Sequence, residues 1–313
     1  MVQSHNVPLV DDELDRIRLQ LRRPSQEYRD VFVPEQFRDR VMIHYVKAAL
    51  RLGPPVLAIQ GETGQGKTYQ TLATFSRHNI HVLLLTGSDL SGRYEGSPVR
   101  QMDKAYEHAR AESRLGNKKV AVVIDDFDNS VASVLTSNRD GYTVNTQLLT
   151  DYLMKLSDKS SHGDRPVPMV VTGNNFLGLC EPLARHGRMS FFTWRGPSGE
   201  DKLRIVKTIF SDIAQDDLNQ LLREFGDQSL AFFDELLSTS YDDSIKRAIR
   251  EPEQLDLDSV ASKIYLSRVS IRDLIETGRQ LSQSRPGDFL STHTTVDRNV
   301  VERSNPTWRE RNG

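Results

Sequence analysis

The octapeptide Gly61-Glu62-Thr63-Gly64-Gln65-Gly66-Lys67-Thr68 constrains this chain more than any other stretch. It fits the spacing G-x-x-x-x-G-K-[ST]. The apolar run Val56-Leu57-Ala58-Ile59 before it predicts a buried strand, and Thr71-Leu72-Ala73-Thr74-Phe75 after it predicts a helix. Strand, glycine-rich turn and helix start are the context a phosphate-binding loop needs. Glycines let successive backbone N–H groups turn inward around a phosphate chain, and the helix N-terminus adds positive partial charge. In that arrangement Lys67 reaches the β- and γ-phosphates and the Thr68 hydroxyl ligates Mg²⁺. The expectation is a nucleotide-binding chain.

At 313 residues there is room for one large or two modest domains. A formal net charge of -2 provides no field that would draw in DNA or RNA. No run reaches the length of a membrane span, and the start MVQSHNVPLVDDELDR lacks a signal-peptide core. That start is also acidic where an organellar transit peptide avoids acids. The single cysteine, Cys180, excludes an internal disulfide and fits a reducing compartment, so the cytoplasm is the expected location.

Residues 11–23 place Leu14, Ile17 and Leu21 on one helical face, with acids first and arginines last, as a helix dipole favours. Residues 31–33 read as extended, and 34–52 as a helix through Phe37, Val41, Tyr45 and Leu50. Strands are predicted at 80–85, 120–124, 167–171 and 189–194. Between them lie a helix opened by Pro98 through Met102, Tyr106 and Ala109, and another at 146–156. Strands alternating with helices mean a parallel sheet covered on both faces. Past Arg195-Gly196-Pro197 only helical patterns follow, at 200–210, 215–225, 230–237, 241–249, 257–266 and 271–281. Four regions result: a short N-terminal helical segment at 1–30, a nucleotide-binding domain at 31–196, a small helical domain at 197–283, and a polar, aperiodic tail at 284–313 expected to be disordered.

Three further motifs carry chemistry. The run VAVVIDD, residues 120–126, ends a buried strand in Asp125 and Asp126; the first carboxylate suits Mg²⁺, and the second can orient an attacking water, with Asp128 as its alternative. In Val171-Thr172-Gly173-Asn174-Asn175, the Asn174 amide could align that water and sense a γ-phosphate, or the run could be a simple Gly-Asn turn. In Pro182-Leu183-Ala184-Arg185-His186-Gly187-Arg188-Met189, Arg185 and Arg188 flank a glycine turn that can present guanidinium groups outward, toward a neighbouring subunit's phosphates.

In this order, and followed by a helical domain, the motifs resemble the AAA+ ATPases. The resemblance implies ATP and Mg²⁺ as ligands, a P-loop AAA+ parallel sheet with a small all-helical domain, and a ring of subunits. It also implies a pore-lining role for Tyr94 in LSGRYEG, which otherwise reads as a surface-packed tyrosine. Longer runs are similar to the Rubisco activase family: VPEQFRDRVMIHYVK, GYTVNTQ, VTGNNF, PLARHGRM with FFTW, QSLAFF and Tyr241-Asp242-Asp243. That family implies a homo-oligomeric, hexameric ATPase that releases inhibitory sugar phosphates from Rubisco. Where the family carries second-sensor arginines, this chain has Leu237 and Thr239. A related remodelling ATPase with another client, and a nucleotide-switched scaffold, are the competing readings.

Overall fold

The strand sequences Val56–Gln60, Val120–Asp125 and Met169–Gly173 lack polar alternation, which a strand tolerates only where both its faces are covered. The computed structural model describes residues 20–90, 96–127, 144–157, 166–174, 176, 187–211, 213–249 and 270–283. In chain order its elements are β1 (Leu21–Arg22), α1 (Gln26–Asp30), α2 (Glu35–Ala49), β2 (Val56–Gln60), α3 (Lys67–Arg77), β3 (His81–Thr86), α4 (Ser97–Leu115), β4 (Val120–Asp125), α5 (Val144–Ser157), β5 (Met169–Gly173) and β6 (Ser190–Thr193). Helices α6 (Gly199–Ile209), α7 (Gln215–Phe225), α8 (Leu230–Ser240), α9 (Asp242–Ile249) and α10 (Ile271–Gln283) follow.

One six-stranded sheet has the order β1-β3-β4-β5-β2-β6, parallel throughout except for β1. Alternate residues of each strand feed two cores. Val56, Ala58, Val122, Ile124 and Val171 pack with Met102, Tyr106 and Ala109 of α4 and with Leu153 of α5. Leu57, Ile59, Val123 and Val170 pack with Phe37 and Val41 of α2 and with Leu72 and Phe75 of α3. The expected α/β sheet, helix-covered on both faces, is the observed one.

Two local expectations are corrected. Residues 21 and 22 are not the end of a helix: β1 pairs antiparallel with β3, Leu21 opposite Leu83 and Arg22 opposite Val82. An unpaired β3 edge would leave its N–H and C=O groups without partners, and Leu21 gains a place against the α4-side core. Helix α2 stops at Ala49 rather than 52, so Leu50 stands 56% exposed instead of continuing the buried face. Residues 11–19 of the predicted N-terminal helix, the predicted helix at 257–266, the tail and Cys180 lie outside the described residues.

Contacts within the chain define two compact units, 1–208 with 229–231, and 209–228 with 232–313. In the second, Leu218, Leu221 and Phe225 line one face of α7, as the 3.6-residue period requires. Gly278 of α10 meets the Phe225 ring there, where an added Cβ would come within 2.6 Å of Cζ. Arg279 and Glu224 pair at 2.8 Å on the surface between the same helices.

His44 of α2 is buried, and its Nε2 donates to the Met169 carbonyl at 3.1 Å. Desolvation lowers its pKa from 6.5 to about 4. The unfolded chain therefore binds an extra proton between these values. The resulting stability is present above about pH 6.5 and is lost as pH falls toward 4, a loss of about 3 kcal/mol. Denaturant melts at pH 7 and 4.5 should show the parent losing about that much more than His44→Gln. Equal losses would place the protonation elsewhere.

Candidate nucleotide site

Strand β2 delivers the loop 61–66 to the carboxyl edge of the sheet, and α3 begins at Lys67. Gly64 (φ 75°) and Gly66 (φ 73°) adopt the left-handed conformation that favours glycine, and Gly66 caps α3. Gly61 is needed for a different reason. It lies so close to the backbone of Trp194 that an added Cβ would fall 2.0 Å from the Trp194 carbonyl oxygen. Its own N–H donates to Gly173 O at 3.3 Å.

Lys67 is buried, and its Nζ donates to Gly61 O and Glu62 O at 2.8 Å each and to Asn174 Oδ1 at 3.3 Å. Thr63 Oγ1 donates to the same Asn174 oxygen at 3.1 Å. Thr68 Oγ1 donates to Asp125 Oδ1 and stands 2.9 Å from Thr172 Oγ1, which itself donates to Asp125 Oδ1 at 2.8 Å. Asp126 is exposed at the end of β4, with φ 48° and its N–H donated to Thr172 Oγ1 at 3.4 Å. The ends of β2, β4 and β5 thus bring together Lys67, Thr68, Asp125, Asp126 and Asn174, residues up to 107 positions apart. A hydroxyl beside a carboxylate is a hard-oxygen pair of the kind Mg²⁺ takes, together with water and phosphate oxygens. Among the described residues no cluster of three or more His, Cys, Asp or Glu offers another metal site.

Arg188 precedes β6, whose Ser190 is opposite Leu57, so it lies at the amino end of the sheet. Its Nη1 donates to Met154 Sδ of α5 at 3.2 Å. The length of β2, on the order of 20 Å, separates it from its own phosphate loop. Arg185 and Tyr94 lie outside the described residues, as does Asp128.

Several residues at the site escape sequence reasoning because their contacts are remote in the chain. Trp194 Nε1 donates to Gln65 O at 3.0 Å, across 129 positions. Gln70 Nε2 approaches the same carbonyl at 3.4 Å, and the Gln65 side chain packs against Gly196. Ala231 N donates to Gly64 O at 3.1 Å, with Ser229 and Leu230 beside Gly64 and Gly66. The sequence signal for them is indirect: Trp194 and Ser229 lie in the resemblance runs FFTW and QSLAFF, which carry no chemical motif.

A six-stranded, mostly parallel sheet with this loop and this carboxylate pair defines an AAA-type P-loop ATPase fold. The family model "ATPase family associated with various cellular activities (AAA)" matches residues 57–196, and "Ribulose bisphosphate carboxylase/oxygenase activase, AAA, helical" matches 199–285. The Rubisco activase of Nostoc sp. is 30% identical over 286 residues, which are 86% of this chain and 65% of that protein. The chloroplastic Rubisco activase of Malus domestica is 29% identical over 280 residues, 81% of this chain and 62% of that one. The chain therefore spans somewhat less than two thirds of these relatives' lengths. The solved FIGL-1 AAA domain shares the fold, with a TM-score of 0.60 at 18% identity over 94% of this chain and 98% of its own. The chain thus matches an AAA domain followed by a helical domain of the Rubisco activase type, and these curated relatives are Rubisco activases.

Trp194→Phe keeps an aromatic ring but removes the N–H that the indole donates to the Gln65 carbonyl, together with part of the indole. The carbonyl is left with the longer Gln70 Nε2 contact at 3.4 Å, and the lost hydrogen bond, worth about 1 kcal/mol, falls on the loop. Affinity for a fluorescent ATP analogue should drop about 5-fold or more. An unchanged dissociation constant would show that this bond does not hold the loop in its binding shape.

Proposed function

We propose that this chain hydrolyses ATP and uses the energy, as one subunit of a hexameric ring, to remodel Rubisco so that inhibitory sugar phosphates leave it. The observation that carries the ATPase reading is the convergence of Lys67, Thr68, Asp125 and Asn174 at one edge of the sheet. The client is taken from the relatives, which are named Rubisco activases. Residues 31–196 serve as the nucleotide-binding domain and 197–283 as the small helical domain. The cytoplasm is the proposed location, and no described helix is long and apolar enough to cross a membrane.

In this reading the backbone N–H groups of residues 62–66 wrap the phosphates, and Lys67 exchanges its carbonyl partners for phosphate oxygens. Thr68 and Asp125 would hold Mg²⁺, which when bound would supply positive charge against the phosphates. Asp126 takes the proton of the attacking water, and Asn174 orients that water against the γ-phosphate. Arg188, remote from its own loop, serves a neighbour's γ-phosphate, with Arg185 as a second donor. Tyr94 grips the client.

The Arg188 role makes turnover depend on assembly. Arg188→Ala should lose about 10³-fold in ATP turnover while each subunit still binds ATP, and mixing it with Lys67→Ala subunits should restore part of the activity. Full turnover in a protein shown to stay monomeric would overturn the shared site.

The client is tested by incubating the protein and ATP with sugar-phosphate-inhibited Rubisco from the same organism. Carboxylation should recover relative to an ATP-free control. If ATP is consumed and no carboxylation returns, the ATPase stands and its client is a different protein.

A further inference from the structure

Thr172 is fully buried in β5, among valines that face the two cores. A hydroxyl in such a place is costly unless hydrogen-bonded, and this one is bonded toward three residues of the candidate site. It donates to Asp125 Oδ1 at 2.8 Å, accepts from the Asp126 N–H at 3.4 Å, and faces Thr68 Oγ1 at 2.9 Å. With its one proton on Asp125 and one lone pair taken by the Asp126 N–H, the hydroxyl turns its remaining lone pair toward Thr68 Oγ1. Its complete burial keeps it from solvent.

We infer that Thr172 is a positioning residue for the magnesium–nucleotide centre: its hydroxyl sets the rotation of the Asp125 carboxylate against Thr68 and holds the Asp126 backbone in its left-handed turn. The terminal torsion of an aspartate is broad and twofold, so a carboxylate at a strand end does not choose its own orientation. Two hydroxyls converging on Oδ1, from Thr68 and Thr172, choose it. Asp126 has φ 48°, a conformation uncommon for a residue with a side chain, and its N–H to Thr172 is one fixed point of that turn. A single hydroxyl, itself outside the reach of substrate, thereby couples the cation ligand to the residue that follows it.

The inference rests on the nucleotide reading of the site, and Thr172→Val tests it, because valine keeps the branched shape and loses the hydroxyl. Thr172→Ser keeps the hydroxyl and loses the methyl. The full chain is titrated with a fluorescent ADP analogue, first in EDTA and then at rising Mg²⁺. In EDTA the parent and both variants should bind within about 3-fold of one another, since the phosphate loop is untouched. With Mg²⁺, the midpoint of the metal response should rise about 10–100-fold in Thr172→Val, the usual effect of removing a group that orients a metal ligand, and stay near the parent's in Thr172→Ser. An unshifted midpoint in Thr172→Val overturns the inference, as does an equal shift in Thr172→Ser. Should the valine variant fail to fold, Thr172→Ala replaces it under the same criteria. A parent that binds no nucleotide sinks the nucleotide reading and this inference with it. A magnesium-responsive parent beside an unshifted valine variant sinks this inference alone.

Discussion

The site depends on how closely two backbones pass at the end of β2. Trp194 N donates to Gln60 O at 2.7 Å, and its carbonyl then lies against Gly61, leaving no room for a side chain there. The indole ring turns back over the loop, with its N–H on Gln65 O. The ring is fixed in turn by Phe37 of α2, edge to face at 5.0 Å, and by Phe192 at 6.0 Å. A loop that binds phosphate through main-chain N–H groups has few side chains to shape it, so its form must come from outside. Here β6 and α2 provide it.

The opposite flank of the loop is set by β5. Gly61 N reaches Gly173 O, and Asn174 collects Thr63 and Lys67 on one amide oxygen. Because β2 lies between β5 and β6 in the sheet, its loop is braced from both neighbours. The strand order, with long crossovers between sequential strands, thus has a chemical consequence. It places the carboxylate strand β4 and the amide strand β5 beside the loop, though neither is its sequence neighbour.

What could be read from the sequence was whatever is contiguous. The octapeptide, the valine-rich strand ending in Asp125, and the buried faces of α3 and α4 are local patterns, and a run apolar on both faces has few readings besides a central parallel strand. The edge strand β1 was illegible because two residues have no period, and the helical charge order of the preceding residues pointed the other way. Leu50 falls outside α2 because periodicity does not show where a helix ends, whereas the chain ends α2 with Arg51 in the left-handed conformation (φ 60°) and the Leu52 N–H on Lys47 O at 2.7 Å. Thr172 and Trp194 were visible as residues but mute as chemistry. Their partners are 46 to 129 positions away, and nothing in one sequence specifies which hydroxyl or indole meets which carbonyl.

Lys67 has a consequence for how tightly a phosphate chain can be held. A surface lysine is a mobile charge, and fixing it costs up to about 2 kcal/mol in lost rotamers. In this protein the ammonium is already anchored on Gly61 O, Glu62 O and Asn174 Oδ1, deep enough that only 7% of the residue is exposed. The ordering was completed when the chain folded. An arriving triphosphate therefore meets a preorganised cation, and has only to offer better acceptors than two carbonyls and an amide.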